Sequence, residues 1–141
     1  MKLQLFDAIG VLHSPDLDQL SFALQEKAVM AFPTLSALAE VKELEAAKTR
    51  LSALIDLIVA RCQAGLSDHD PRQRNFGFVG EKAIEIDLGS FTIDETLKIP
   101  SSTNKILLYE TLKLRRYINK YHPELSDFLE EKINNKLTKG T

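Results

Sequence analysis

Residues 65–89 read Gly65-Leu66-Ser67-Asp68-His69-Asp70-Pro71-Arg72-Gln73-Arg74-Asn75-Phe76-Gly77-Phe78-Val79-Gly80-Glu81-Lys82-Ala83-Ile84-Glu85-Ile86-Asp87-Leu88-Gly89. Two short runs in it, Asn75 to Val79 and Lys82 to Ile86, are rich in aromatic and β-branched residues and meet across Gly80 and Glu81, which predicts a β-hairpin. With the loop centred on Glu81, Phe78 should oppose Ile84, Phe76 should oppose Ile86 and Asn75 should oppose Asp87. The four apolar side chains would then share one half-buried face.

The flanks are helical in pattern. Ser14, Pro15, Asp16 and Asp18 form a helix-start signal, and Leu17, Leu20, Leu24 and Ala28 recur at helical spacing, so a helix is expected from about Pro15 to Met30, with Pro33 ending the run. A second helical stretch opens near Thr34 and runs through Leu51, Leu54, Ile55, Ile58, Val59 and Cys62 to Gly65, with an interruption expected around Glu40 to Glu43. At best one short strand, near Leu3 to Phe6, precedes them. Beyond Gly89 a polar segment leads to Pro100, where Ser101 to Thr103 can cap a helix carrying Ile106, Leu107, Leu112, Leu114, Tyr117 and Ile118. Pro123 opens a last helix with the stripe Leu125, Phe128, Leu129, Ile133 and Leu137. The fold class expected is mainly α with a small β-hairpin (α+β): one domain, helical over 1–64, with the loop and hairpin over 65–89, helices over 90–137 and a frayed tail at 138–141.

Composition excludes several classes of function. A chain of 141 residues with 18 basic and 20 acidic side chains, formal charge -2, has room for one core and no overall positive field for a nucleic-acid backbone. No run of some 18 apolar residues suggests a membrane span, and no leader pattern opens the chain, so a soluble cytoplasmic protein is expected. The single cysteine, Cys62, lies in an apolar stretch and reads as a small buried hydrophobe. His13 and His122 stand at helix entrances without partners at metal-ligand spacing, which predicts capping or surface roles. Tyr109, Tyr117 and Tyr121 read as a half-buried stripe, and Lys113, Arg115 and Arg116 as a solvated face.

The polar residues of 65–89 carry the chemistry. Opposed residues of an antiparallel pair start only about 5 Å apart, so the Asn75 amide oxygen and the Asp87 carboxylate could bind one ion or two neighbouring ones. Magnesium suits such a pair, because it takes oxygen ligands, keeps several waters and commonly uses one or two protein groups together with phosphate oxygens. Asp70, five residues before Asn75, could face the same cavity and take the proton of an acceptor hydroxyl. Arg72 and Arg74 could neutralise a transferring phosphoryl group with their forked guanidinium groups.

An Asp followed five residues later by Asn, then a short hairpin ending in Asp-x-Gly, resembles the protein-kinase-like superfamily, including its aminoglycoside and lipopolysaccharide kinase relatives. The resemblance covers 68–89, and the helices on either side fit the C-terminal lobe of that fold. It implies Asp70 as the catalytic-loop aspartate, Arg72 as a phosphate-facing residue, Asn75 and Asp87 as magnesium ligands, and Asn75, Asp87 and Gly89 as the cofactor-binding set, with Mg2+ and ATP as cofactors. His69 stands where protein kinases have arginine, Asp68 where they have histidine, Pro71 where they usually have leucine, and Leu88 replaces the motif phenylalanine. The six glycines form no Gly-x-Gly-x-x-Gly loop, and no strand-borne lysine with a helical glutamate precedes the site. The expectation is therefore a divergent or truncated kinase-like protein that lacks the nucleotide-holding lobe.

Three other readings compete with a phosphotransferase. The polar cluster could be a solvated loop whose side chains satisfy backbone groups. The lobe could act as a non-catalytic, pseudokinase-type interaction module, its helical surface binding a protein partner or a second copy. Asp68-His69-Asp70 could also be the metal motif of a nucleotide-sugar transferase, but those enzymes need an α/β nucleotide-binding sheet. The phosphate acceptor is not legible in the sequence.

Overall fold

A computed structural model describes residues 1–21 and 24–137. In chain order the elements are β1 (Leu5–Phe6), β2 (Leu12–His13), β3 (Val29–Met30), α1 (Ala31–Glu40), α2 (Leu44–Gln63), β4 (Leu66–Asp68), β5 (Phe76–Val79), β6 (Lys82–Glu85), β7 (Phe91–Ile93), α3 (Pro100–Tyr121) and α4 (Ser126–Lys136). Four helices with small antiparallel sheets make the fold α+β, as expected. No helix among the described residues is long and apolar enough to cross a membrane.

Helix α2 is the pillar. Leu51, Leu54, Ile55, Ile58 and Val59 are buried on it, and they share one core with Phe32 and Leu35 of α1, Leu107, Leu114 and Ile118 of α3, Leu129 and Ile133 of α4, and Phe76 and Phe78 of the central hairpin. Each such side chain contributes about 1.5–3 kcal/mol through removal of apolar surface from water. The predicted interruption falls between α1 and α2: Lys42 adopts φ +62°, and Glu43 N–H bonds back to the Leu38 carbonyl at 2.8 Å. Gly65 sits just past α2 with φ +70°, the left-handed conformation that a residue without Cβ adopts freely. Helix α3 begins ahead of the cap expected at Ser101 to Thr103, with Pro100 at its first position, and uses no side-chain cap. Cys62 is fully buried, and burial raises its thiol pKa.

The helix expected from Pro15 to Met30 is not there. Its portion at residues 22 and 23 lies outside the described residues. Before them only a single 3-10 turn, Leu17–Gln19, forms, opened by Asp16, whose side chain accepts the Asp18 N–H. After them Val29 and Met30 pair with Phe78 and Gly77 as a third strand on the central hairpin. The apolar spacing has no surface to meet, since Leu20 and Leu24 are exposed. A helical stripe without a partner gains too little to nucleate, whereas β3 satisfies the open edge of β5. Accordingly Pro33 ends nothing; it stands in the first turn of α1, where no amide is needed.

The hairpin register also differs from expectation. Its loop is two residues, with Val79 paired to Lys82, Phe78 to Ala83, Gly77 to Ile84 and Phe76 to Glu85. Gly80, at φ +59°, lets the turn close over Gly80 and Glu81 alone. This one-residue shift turns Ile84 and Ile86 off the core face and brings Glu85 onto it. Gly77 is needed for β3 to approach: a Cβ there would lie 2.7 Å from the Val29 carbonyl oxygen and 2.9 Å from the Ala28 Cβ. The polar segment after Gly89 contains an unexpected strand, β7, which pairs antiparallel with β4, Asp68 opposite Phe91.

Candidate functional site: the loop between β4 and β5

The β4–β7 pairing closes the chain around the central hairpin, so that the loop at 69–75 and the segment at 87–90 leave from the same place. Asp68, at the end of β4 and buried, holds both. Its Oδ1 accepts the Asp70 N–H at 2.8 Å and the Ser90 hydroxyl, while the His69 N–H reaches the Ser90 carbonyl at 3.3 Å. Asn75, also buried, closes the loop from its other end by donating Nδ2–H to the Asp70 carbonyl at 2.8 Å. Backbone bonds from Arg72 N–H to the Asp70 carbonyl and from Asn75 N–H to the Arg72 carbonyl complete a compact loop.

The expected site residues therefore occupy defined positions. The Asp70 carboxylate is one-third exposed and paired with Arg72 Nε at 2.5 Å. Asn75 ends a 3-10 turn, Gln73–Asn75, and its nitrogen end is committed to Asp70, which leaves the amide oxygen as the end for a cation. Asp87 is exposed, and its Oδ1 accepts the Gly89 N–H at 3.0 Å. The direct opposition of Asn75 and Asp87 is corrected by the register: the Ile86 N–H bonds to the Asn75 carbonyl at 2.7 Å, and Asp87 stands one residue farther on. Both residues lie outside the strands, so the pleat does not dictate where their side chains turn.

The donor set suits a magnesium–nucleotide pair in kind, since Asn75 and Asp87 offer an amide and a carboxylate oxygen, the hard ligands that magnesium prefers. Among the described residues no group of three or more His, Cys, Asp or Glu side chains could hold a metal ion by itself. An ion at this place would thus depend on water and phosphate oxygens for most of its shell.

Beneath the loop lies a charge cluster that the sequence reading missed. Arg61, inward on α2, bonds to Glu85 of β6 and Glu110 of α3, and its Nη1 stands 3.9 Å from Asp68 Oδ2, too far for a hydrogen bond. Its guanidinium lies 5.8 Å from the Phe91 ring centroid, within cation–π range. One cation thus faces three buried carboxylates. Burial pushes the Glu85 carboxyl up to about 7, with Arg61 pulling against it and the Asp68 and Glu110 charges adding to it. Burial raises Glu110 as well. Arg61 is held more firmly protonated than usual: burial opposes its charge, but Glu110 and Glu85 outweigh it. A signal for this cluster was present: Arg61 falls three residues after Ile58 in an apolar stripe, a position where a cation requires an acid.

The histidines divide. His13 is exposed and contacts Asp7. His122 caps the end of α3 through its backbone, yet its ring is buried and lies 2.9 Å from the Ser36 hydroxyl, so a surface role is excluded. Comparison with protein-family models, curated proteins and solved structures gives no match.

Proposed function

We propose that the chain carries the catalytic-loop and metal-binding half of a kinase-like phosphotransfer site. The observation supporting this most is the closed loop in which Asp68 ties Asp70 to Ser90 while Asn75 returns to the Asp70 carbonyl. It ties Asp70 and Asn75, two of the residues that the spacing suggested, into one loop beside the central hairpin. Asp70 would accept the proton of an acceptor hydroxyl as its oxygen bonds to the γ-phosphorus. The bond from that phosphorus to the β–γ bridging oxygen breaks, and ADP leaves with the electron pair. Mg2+ bound with ATP would supply charge neutralisation on the phosphate oxygens, and Asn75 and Asp87 are the residues that would hold it. Arg72, paired with Asp70, fixes that carboxylate and brings a guanidinium to the same mouth.

No glycine-rich loop occurs in the sequence, so another segment or another chain would have to position the nucleotide. Calorimetric titration with Mg-ATP tests the reading: saturable heat is expected, lost in Asp87→Ala, and no heat across millimolar concentrations overturns it.

A second reading, a non-catalytic interaction module, draws on the apolar surface of the N-terminal hairpin, where Leu5, Phe6, Ile9 and Leu12 are all exposed. Under that reading Asp87→Ala changes nothing.

A further inference from the structure

A hollow of about 280 Å³ lies between the loop at 69–72 and the middle of α3, and Asp70, Arg72, Tyr109, Lys113 and Arg116 all line it. Its charges do not balance within the chain. Asp70 is matched by Arg72. Glu110, the other acid on the wall, turns inward to Arg61, its side chain only 2% exposed. Lys113 and Arg116 have no ion-pair partner among the described residues, in contrast to their neighbour Arg115, which Glu130 clamps through two bonds of 2.7 and 2.8 Å. Two cations three residues apart on one helix face repel each other, and an anion seated between them relieves that repulsion. A guanidinium beside an ammonium matches phosphate oxygens in particular. Tyr109, 71% exposed, adds an aromatic wall at the rim, and the volume suits a small molecule.

We infer that this hollow is the acceptor pocket, and that the acceptor is a small hydroxyl compound bearing a phosphate group. Lys113 and Arg116 hold the phosphate, and the hydroxyl lies toward Asp70. The acceptor role rests on the phosphotransfer reading above; the anion site does not.

The test is an NMR titration of the full chain with inorganic phosphate and then glycerol 3-phosphate, against chloride at equal ionic strength. Saturating shifts at millimolar phosphate are expected in residues 69–72 and 109–116. The double variant Lys113→Gln, Arg116→Gln, altered at two exposed positions, should weaken binding on the order of tenfold or more, and Lys48→Gln, which alters a cation outside the hollow paired with Glu45, should leave it unchanged. A linear response, one spread over distant cations such as Lys48 and Lys132, or one indifferent to the double variant overturns the pocket. Phosphate binding in a chain that never binds Mg-ATP overturns the acceptor role and keeps the anion site. Mg-ATP binding without phosphate binding sinks the pocket alone.

Discussion

The described residues contain two β-hairpins, and they differ in almost everything except connectivity. The N-terminal one, β1 with β2, pairs Leu5 with His13 and Phe6 with Leu12, and each of these side chains is exposed. Its turn is held by Asp7, whose side chain accepts the Ile9 and Val11 N–H groups at 3.0 and 2.9 Å. The central one, β5 with β6, lays Phe76, Phe78, Ala83 and Glu85 onto the core and accepts β3 along its open edge. Local turn chemistry is thus sufficient to shape a hairpin, and burial decides which hairpin the fold depends on.

The sharpest way to break this contrast is to truncate one aromatic in each. Phe78→Ala should cost about 3–5 kcal/mol, because it empties a site that is 1% exposed. Phe6→Ala, at a site 72% exposed, should stay within about 0.5 kcal/mol. Urea unfolding of both variants checks the pair, and equal losses would show that the N-terminal hairpin belongs to the cooperative unit.

Acidity should separate the hairpins next. Glu85 has its carboxyl raised to about 7 in the folded chain from an ordinary value of 4.5. The folded state therefore holds a proton that the unfolded state has released. This contribution is complete below pH 4.5 and fades as the pH rises through about 7. Its size is on the order of 3 kcal/mol. Glu85→Gln should flatten the dependence of unfolding midpoint on pH between 5 and 8. In the N-terminal hairpin the sign reverses: contact with His13, followed by backbone N–H bonds, holds Asp7 below its usual range.

A smaller loss than that of Phe78→Ala concerns the third strand. Gly77→Ala should destabilise by about 1–3 kcal/mol, since the added methyl meets the Val29 carbonyl and the Ala28 methyl. Amide exchange should show Val29 and Met30 losing protection first. Unchanged protection there would mean that β3 contributes little to the sheet.

What was legible in the sequence follows the strength of each local signal. Helices α2 and α4 carry long stripes with a core to meet, and Gly65 and Pro123 mark their borders, so pattern and packing agree. The stripe through Leu17, Leu20 and Leu24 looked the same on paper, but Leu20 and Leu24 lie exposed and an open strand edge competed for Val29 and Met30. The hairpin itself was readable, while its register turned on whether Gly80 and Glu81 form the whole loop. That single residue moved Glu85 inward and hid the partner that Arg61 needs. Spacing singled out Asp70, Arg72 and Asn75, which share one loop, whereas the anchoring by Asp68 and Ser90 depends on β7, which three residues after a polar turn could not announce.

The strand pair β4–β7 nests one closure inside another. The inner ribbon folds over a two-residue turn, whereas Asp68 and Ser90 are joined across a separation of 22. Because closure entropy grows with the logarithm of the span, zipping the ribbon first shortens the path that the outer pair must bridge. Assembly should therefore proceed from the inside outward, with the polar loop settling last, after the scaffold around it has been built.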